Sequence, residues 1–535
     1  MTTATPILTQ RAYAIAPVCE RWDFHEWTFD GPGETAGGNP FVDVHFAATF
    51  SHAHAKKAMR VPGFYDGGGK YKLRFMPPEP GDWTFSTVSN HPRLHGRVGR
   101  LTVTPAVAGN HGPVRVANEF HFVHADGTPH KSFGTTAYSF AHQGEALENQ
   151  TLDTLAQSPF NKVRMCVFPK RYAYTASEPE HYPFEGVAPA DWDFSRFNPA
   201  FFQHFESILL RMRDLDIQAD LILMHPYDRG HWGFDRMPPD ADDRYLKYVV
   251  ARFAAFRNIW WSLANEHDFM TTKQPDDWHR FGPIVAEADP YEHLLSVHNG
   301  FVIFDHRQSW VSHVSMQNGS AVADFGRAGI YRDVYRKPVV FDECKYEGDI
   351  DQRWGNLSAE EMVHRFWQGV IAGTYVGHGE TYKHPDDVIW WARGGALHGQ
   401  SPARIGFLRK LLEHGPANGV DPIDKWQDLQ TAGVAGTYYL IYFGKETPTQ
   451  WRFELPRQGL ASGMKFKLDV IDTWNMTVTP VADIFTINAD TTYRHHAEGD
   501  PHIDLPGRPW MALRLTRVET GESITAEEKI IYGES

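Results

Sequence analysis

The chain has 535 residues, 42% of them hydrophobic, and a formal net charge of −14. That length allows two or three domains with full cores, and the charge disfavours nucleic acid or an anionic membrane as partner, since both would repel it. No apolar stretch approaches the ~20 residues needed to span a bilayer, and Met1–Pro6 lacks the basic and apolar regions of a secretion signal, so a soluble, cytoplasmic protein is expected, with a homo-oligomer left open.

Residues 1–110 read as a small β-sandwich. Phe41–Phe46 and Tyr71–Phe75 alternate apolar and polar side chains as half-buried strands do. Pro77–Asp82 supplies a turn before the strand-like Trp83–Thr87. Asp66-Gly67-Gly68-Gly69-Lys70 lies between strands and reads as a turn, not a phosphate loop, because no helix follows it. Asn110–Pro113 is a candidate linker, and Phe120–His124 with Asp126-Gly127 reads as a hairpin.

Residues 111–415 change character to strands alternating with helices, the signature of a parallel α/β domain. Eight candidate strands centre on Phe133–Tyr138, Lys162–Phe168, Ala219–Met224, Ile259–Leu263, Leu294–His298, His313–Gln317, Val339–Asp342 and Gly373–Val376. Between them, Asp242–Phe256 carries apolar residues at helical spacing, and Ser358-Ala359-Glu360-Glu361 is a capping-box pattern opening another helix. Residues 416–535 return to β character, with strand-like Tyr438–Phe443, Trp451–Leu455 and Trp510–Leu515. The fold class predicted is α/β: a (β/α)8 barrel flanked by an N-terminal β-sandwich and a smaller C-terminal β domain.

Two of the candidate strands end abruptly in a glutamate. Trp260–Leu263 leads through Ala264 and Asn265 to Glu266, and Val339–Asp342 leads to Glu343. A parallel barrel presents its catalytic side chains at the C-terminal ends of its strands. Glutamates closing the fourth and seventh strands would therefore share one rim, where two carboxyl groups can act as acid and nucleophile on a glycosidic bond. A lone glutamate at a strand end is more often a surface or ion-pair residue; the pair, with Asn265 beside it, points to catalysis.

The Asn-Glu ending strand four and the Glu ending strand seven resemble the large clan of retaining (β/α)8 glycoside hydrolases that includes cellulase-like and β-galactosidase-like enzymes. The flanking regions resemble those of bacterial glycoside hydrolases with an N-terminal sandwich domain, through Arg74-Phe75-Met76-Pro77 and Gly81-Asp82-Trp83. The resemblance implies that Glu266 is the acid/base and Glu343 the nucleophile. It implies that Arg164, on strand two, neighbours the nucleophile, and that Asn265 holds the hydroxyl next to the reacting carbon. Trp390 or Trp391, after strand eight, would supply a sugar platform; the sequence does not choose between them. The chain departs from the commoner clan pattern by having Met316-Gln317-Asn318 at the end of strand six, where an aromatic hydroxyl is usual.

His225, His298, Gln317 and Arg393 also fall at or beyond presumed strand ends and are candidate substrate contacts. His52-Ala53-His54 and His495-His496 lack a third ligand at convincing spacing and are expected to be solvated loops, so no metal site is expected. The cysteines Cys19, Cys166 and Cys344 are too scattered for a disulfide framework or a ligand set. There is no Gly-x-Ser-x-Gly elbow, and no cofactor is called for. The expected activity is retaining hydrolysis of small glycosides or oligosaccharides with a carbohydrate as the partner. Transglycosylation by the same residues and non-catalytic carbohydrate binding are the alternatives.

Overall fold

Eight parallel strands form the centre of the computed structural model, which describes residues 16–518 apart from 36–37, 55–57, 318–324, 386–387 and 490–491. In chain order they are β1 (Gly134–Thr136), β2 (Lys162–Cys166), β3 (Gln218–Met224), β4 (Ile259–Ala264), β5 (Leu295–Ser296), β6 (Val314–Gln317), β7 (Val339–Glu343) and β8 (Tyr375–His378). Their spatial order is 5-4-3-2-1-8-7-6, and a parallel bridge between His298 and Ser315 joins the two ends. All eight candidate strands of the sequence are present. They were legible because parallel barrel strands are covered on both faces and so read as nearly unbroken apolar runs; β4 and β7 are buried along their whole length.

The barrel interior is filled in layers, and this sets the height of the site. At the base, Phe122 of the hairpin following Val114–Ala117 packs with Trp260, Leu294 and Val340. Above them Lys162 bridges Asp220 at 2.8 Å and Asp342 at 2.7 Å, and lies over Trp260. Ser315 donates to the second oxygen of Asp342 at 2.5 Å. Side chains one step further along the strands therefore stand above a solid, ion-paired floor.

The helix expected over Asp242–Phe256 spans Pro239–Phe253. It starts earlier because Pro239 suits the first helical position, where its missing N–H is no loss. Ser358 caps Ala359–Ile371 by accepting from Glu361 N. That helix packs on the C-terminal sheet, with Trp367 stacked on Tyr442. No helix among the described residues is long and apolar enough to cross a membrane.

The N-terminal region forms a five-stranded and a three-stranded sheet with Phe50 stacked on Phe75 between them. One expected strand is corrected: Phe41–Phe46 does not run as a strand. Pro40–Asp43 is a short helix and the strand begins at Phe46. Asn39 accepts from Phe41 N and Pro40 follows, so capping chemistry overrides the alternation. In the C-terminal region the expected strand Trp451–Leu455 is split at buried Phe453. Gln450–Arg452 pairs with His502–Asp504, and Glu454–Pro456 with Arg494–Ala497.

Buried charges join the N-terminal sheets to the barrel helices. Arg252, fully buried on Pro239–Phe253, donates to Glu206 at 2.7 Å and Asp66 at 2.7 Å. Arg74 forks onto Glu206 at 2.7 and 2.9 Å and reaches Glu26 at 2.8 Å. Lys72 completes the set on Asp66. Without Arg252, buried Glu206 would keep only Arg74 as a cationic partner and buried Asp66 only Lys72, so Arg252→Ala is expected to lower stability by roughly 3–5 kcal/mol. Urea unfolding measures this; a loss below about 1 kcal/mol would mean that the network is solvated and weak.

Candidate active site

The strand ends bring Glu266, Glu343, Asn265 and Arg164 together with a tyrosine that the sequence reading did not select. Glu343 closes β7 and is buried. It accepts the hydroxyl of Tyr138 from the end of strand one and Arg164 Nη1 at 3.3 Å. The same Arg164 nitrogen donates to Asn265 Oδ1 at 2.5 Å and lies 3.1 Å from Tyr138 Oη. Burial works against the Arg164 charge, but Tyr138 and the carboxylates of Asp342 and Glu343 outweigh it and hold the guanidinium protonated. Tyr138 is pushed well above its ordinary range by burial and by Glu343, so it remains a donor. Strand one thus supplies an aromatic hydroxyl to Glu343; Asn318, at the end of strand six, lies outside the described residues.

Glu266 sits in a different environment on the same rim. It follows β4 with left-handed backbone, φ 49° and ψ 58°, a conformation costing a non-glycine residue on the order of 1–3 kcal/mol and concentrated at functional sites. The side chain is buried, and Oε2 has no hydrogen-bond partner among the described residues. Burial first, and the charge of Glu343 second, push its carboxyl up to about 8, against the opposing pull of Lys170 and a hydrogen bond from Gln317. A carboxyl so placed holds a proton at neutral pH, whereas Glu343 faces an arginine and a phenol as hydrogen-bond donors. The two carboxyl groups thus have different surroundings on one rim.

Lys170, just beyond β2, is the second residue that the sequence reading missed. It is buried, with Nζ 3.6 Å from the ring centre of Tyr138, 4.2 Å from Tyr227 and 4.5 Å from Trp391. Burial pushes its ammonium down to about 8, with the neighbouring charge of Arg164 acting in the same direction and the glutamates opposing. Tyr346, which is buried, and Trp354 extend the aromatic wall against Trp391.

The remaining candidates separate cleanly. Trp391 packs edgewise on Tyr138 and belongs to the site wall. Trp390 is a core residue, donating from Nε1 to Thr135 at 2.9 Å. Gln317 ends β6 beside Glu266. His225 is taken up by backbone: Nδ1 accepts from Tyr227 N at 3.2 Å and Nε2 faces Phe168 O at 3.3 Å. His298 is fully buried, and burial holds it well below the usual histidine range, neutral. Arg393 turns to Gln143 at 2.7 Å. His52 and the pair His495-His496, expected in loops, lie in strands Phe46–His52 and Arg494–Ala497, with His495 buried.

One grouping had no sequence signal. Ligand-capable atoms of buried Glu347, His378 and Glu380 lie within 4.8 Å of one another. Their carboxylates accept four successive backbone N–H groups, His398 at 2.5 Å and Gly399 at 2.8 Å on Glu380, Gln400 at 2.8 Å and Ser401 at 3.2 Å on Glu347. They anchor the segment entering helix Ser401–Glu413.

Comparison with known proteins agrees with this geometry. A family model described as "Apiosidase-like, catalytic domain" matches residues 117–449, more than half of the chain. Two domains of unknown function match the flanks, DUF5060 at 18–90 and DUF5605 at 426–516. Among solved structures, a Bacteroides vulgatus protein assigned to the glycoside hydrolases is 41% identical, with a TM-score of 0.90 over 94% of this chain and 100% of that one. A glycoside hydrolase family 5 protein from Bacteroides vulgatus shares the fold at 14% identity, with a TM-score of 0.56 over 77% of this chain and 95% of that one. Among curated proteins none matches. With a parallel eight-stranded barrel, β-rich flanks and two carboxyl groups at its rim, the chain belongs to the apiosidase-like family and is a glycoside hydrolase.

Proposed function

We propose that the enzyme is a retaining glycosidase in which Glu343 attacks the anomeric carbon and Glu266 first protonates the leaving oxygen, then deprotonates the incoming water. The observation that carries this reading is the opposed setting of the two carboxyl groups. Glu343 is hydrogen-bonded by Arg164 and Tyr138, while Glu266 is buried and raised to about 8. Formation of the glycosyl ester neutralises Glu343 and so removes the second-largest cause holding the proton on Glu266, which lets it turn from acid to base.

The substrate is proposed to be a small glycoside or an oligosaccharide cut at its end. The close wall of Tyr138, Lys170, Tyr346 and Trp391 around the glutamates suits a single terminal sugar. The family description makes an apioside the first glycone to test. The test is a panel of aryl glycosides, apiosides included, with the anomer of the first-formed product read by NMR. Turnover with the product anomer matching the substrate is expected. An inverted first product would replace the nucleophile by a base, and rapid viscosity loss on a polysaccharide with mid-sized products would replace the pocket by a groove.

A further inference from the structure

The rim on the acid side of the site carries an exposed aromatic platform that the double displacement itself does not use. Asp268 and Phe269 follow Glu266 by two and three residues. Asp268 Oδ1 accepts from Gly300 N at 2.5 Å, and Oδ2 accepts from Phe301 N at 2.7 Å and Val302 N at 2.9 Å. These three bonds hold its carboxyl below the usual range although burial opposes them. From the other side, His267 Nε2 meets Val302 O at 3.1 Å and His267 N meets His298 O at 2.9 Å. The loop after β5 is thus tied to the segment that bears the acid.

What this loop presents is apolar. Phe301 is 82% exposed and Val302 63%, and Phe301 meets Phe269 edge to face at 5.0 Å. Position 300 is glycine where the Phe269 ring lies, and a Cβ there would come within 2.5 Å of it. Single exposed apolar side chains need no explanation, but a contiguous group held out by five hydrogen bonds from a neighbouring segment does. Beside Phe269 runs a cleft of about 490 Å³. Tyr227 lines it and also faces Lys170 at the glutamates, so the cleft adjoins the catalytic rim.

We infer that Phe301 and Phe269 form the subsite for the leaving group, a sugar ring laid with its C–H face on the Phe301 ring. This rests on the proposed roles of the two glutamates. In-line attack by Glu343 expels the leaving group on the opposite side of the anomeric carbon, and the acid must touch the departing oxygen, so the departing sugar lies on the Glu266 side. An aromatic face that loses water against a pyranose gains apolar burial without needing a fixed hydroxyl pattern. The platform would therefore favour carbohydrate leaving groups over small ones and would also seat a sugar acceptor in the second step.

The test compares two substrates of the sugar that wild-type enzyme turns over in the aryl glycoside panel. One is its glycosyl fluoride, whose one-atom leaving group reaches no platform; the other is the same sugar carried on a disaccharide. Phe301→Ala is expected to lower kcat/KM for the disaccharide-linked substrate about tenfold more than for the fluoride, roughly the value of one buried ring face. Phe301→Trp should restore the ratio. Equal effects on both substrates, or none, overturn the platform while leaving the glycosidase intact. Absence of turnover on the whole panel by wild type overturns the glycosidase reading, and the platform with it.

Discussion

Glu343→Ala is expected to lower turnover by on the order of 10⁴-fold or more, as loss of a nucleophile does when nothing replaces it. The substitution leaves Tyr138, Arg164 and Asn265 with their mutual hydrogen bonds, so a folded but silent site is expected rather than a collapsed one. Sodium azide should enter the vacated space, where the Arg164 guanidinium that faced Glu343 attracts an anion, and restore part of the rate on substrates with good leaving groups. Because azide then makes the only displacement, the product should be a glycosyl azide of inverted configuration. Activity within tenfold of wild type in Glu343→Ala would falsify the assignment. Azide rescue with retained configuration would mean that a second nucleophile is present.

The sequence shows the barrel and its two glutamates for one physical reason. Strands buried on both faces must be apolar until they reach the rim, so a carboxyl ending such a run stands out. The same rule explains what it hid. Tyr138 ends an apolar strand as an aromatic residue and reads as core, although its hydroxyl reaches Glu343. Lys170 is one lysine after a proline, and only the folded rings of Tyr138, Tyr227 and Trp391 give it a setting. Trp390 and Trp391 are neighbours whose roles depend on which way each faces, and that is decided by the short helix Trp390–Arg393. His225 and His298 stand at strand ends, with backbone contacts on the ring of the first and complete burial of the second, neither of which the sequence displays. Phe41–Phe46 failed locally, where Asn39-Pro40 capped a helical turn.

Glu266→Gln separates the two chemical steps and, with them, the two roles given to that residue. Glutamine keeps the shape of the side chain and its buried place but carries no transferable proton. On glycosides with poor leaving groups the first step needs that proton, and a loss of roughly 10²–10⁴-fold is expected, the usual worth of general acid–base catalysis. On dinitrophenyl glycosides the departing phenolate needs no proton, so the glycosyl-enzyme should still form at a rate near that of wild type. It should then accumulate, because the water of the second step has lost its base, and the kinetics should show a burst followed by slow turnover. The pH dependence supplies an independent readout. Burial and Glu343 raise the Glu266 carboxyl to about 8, and its active form in the first step is the protonated one. Wild-type kcat/KM on poor leaving groups should therefore hold below that pH and fall as pH rises through about 8, and in Glu266→Gln this basic limb should vanish. Equal losses on both substrate classes with the limb unchanged would show that Glu266 positions the substrate and that another group supplies the proton.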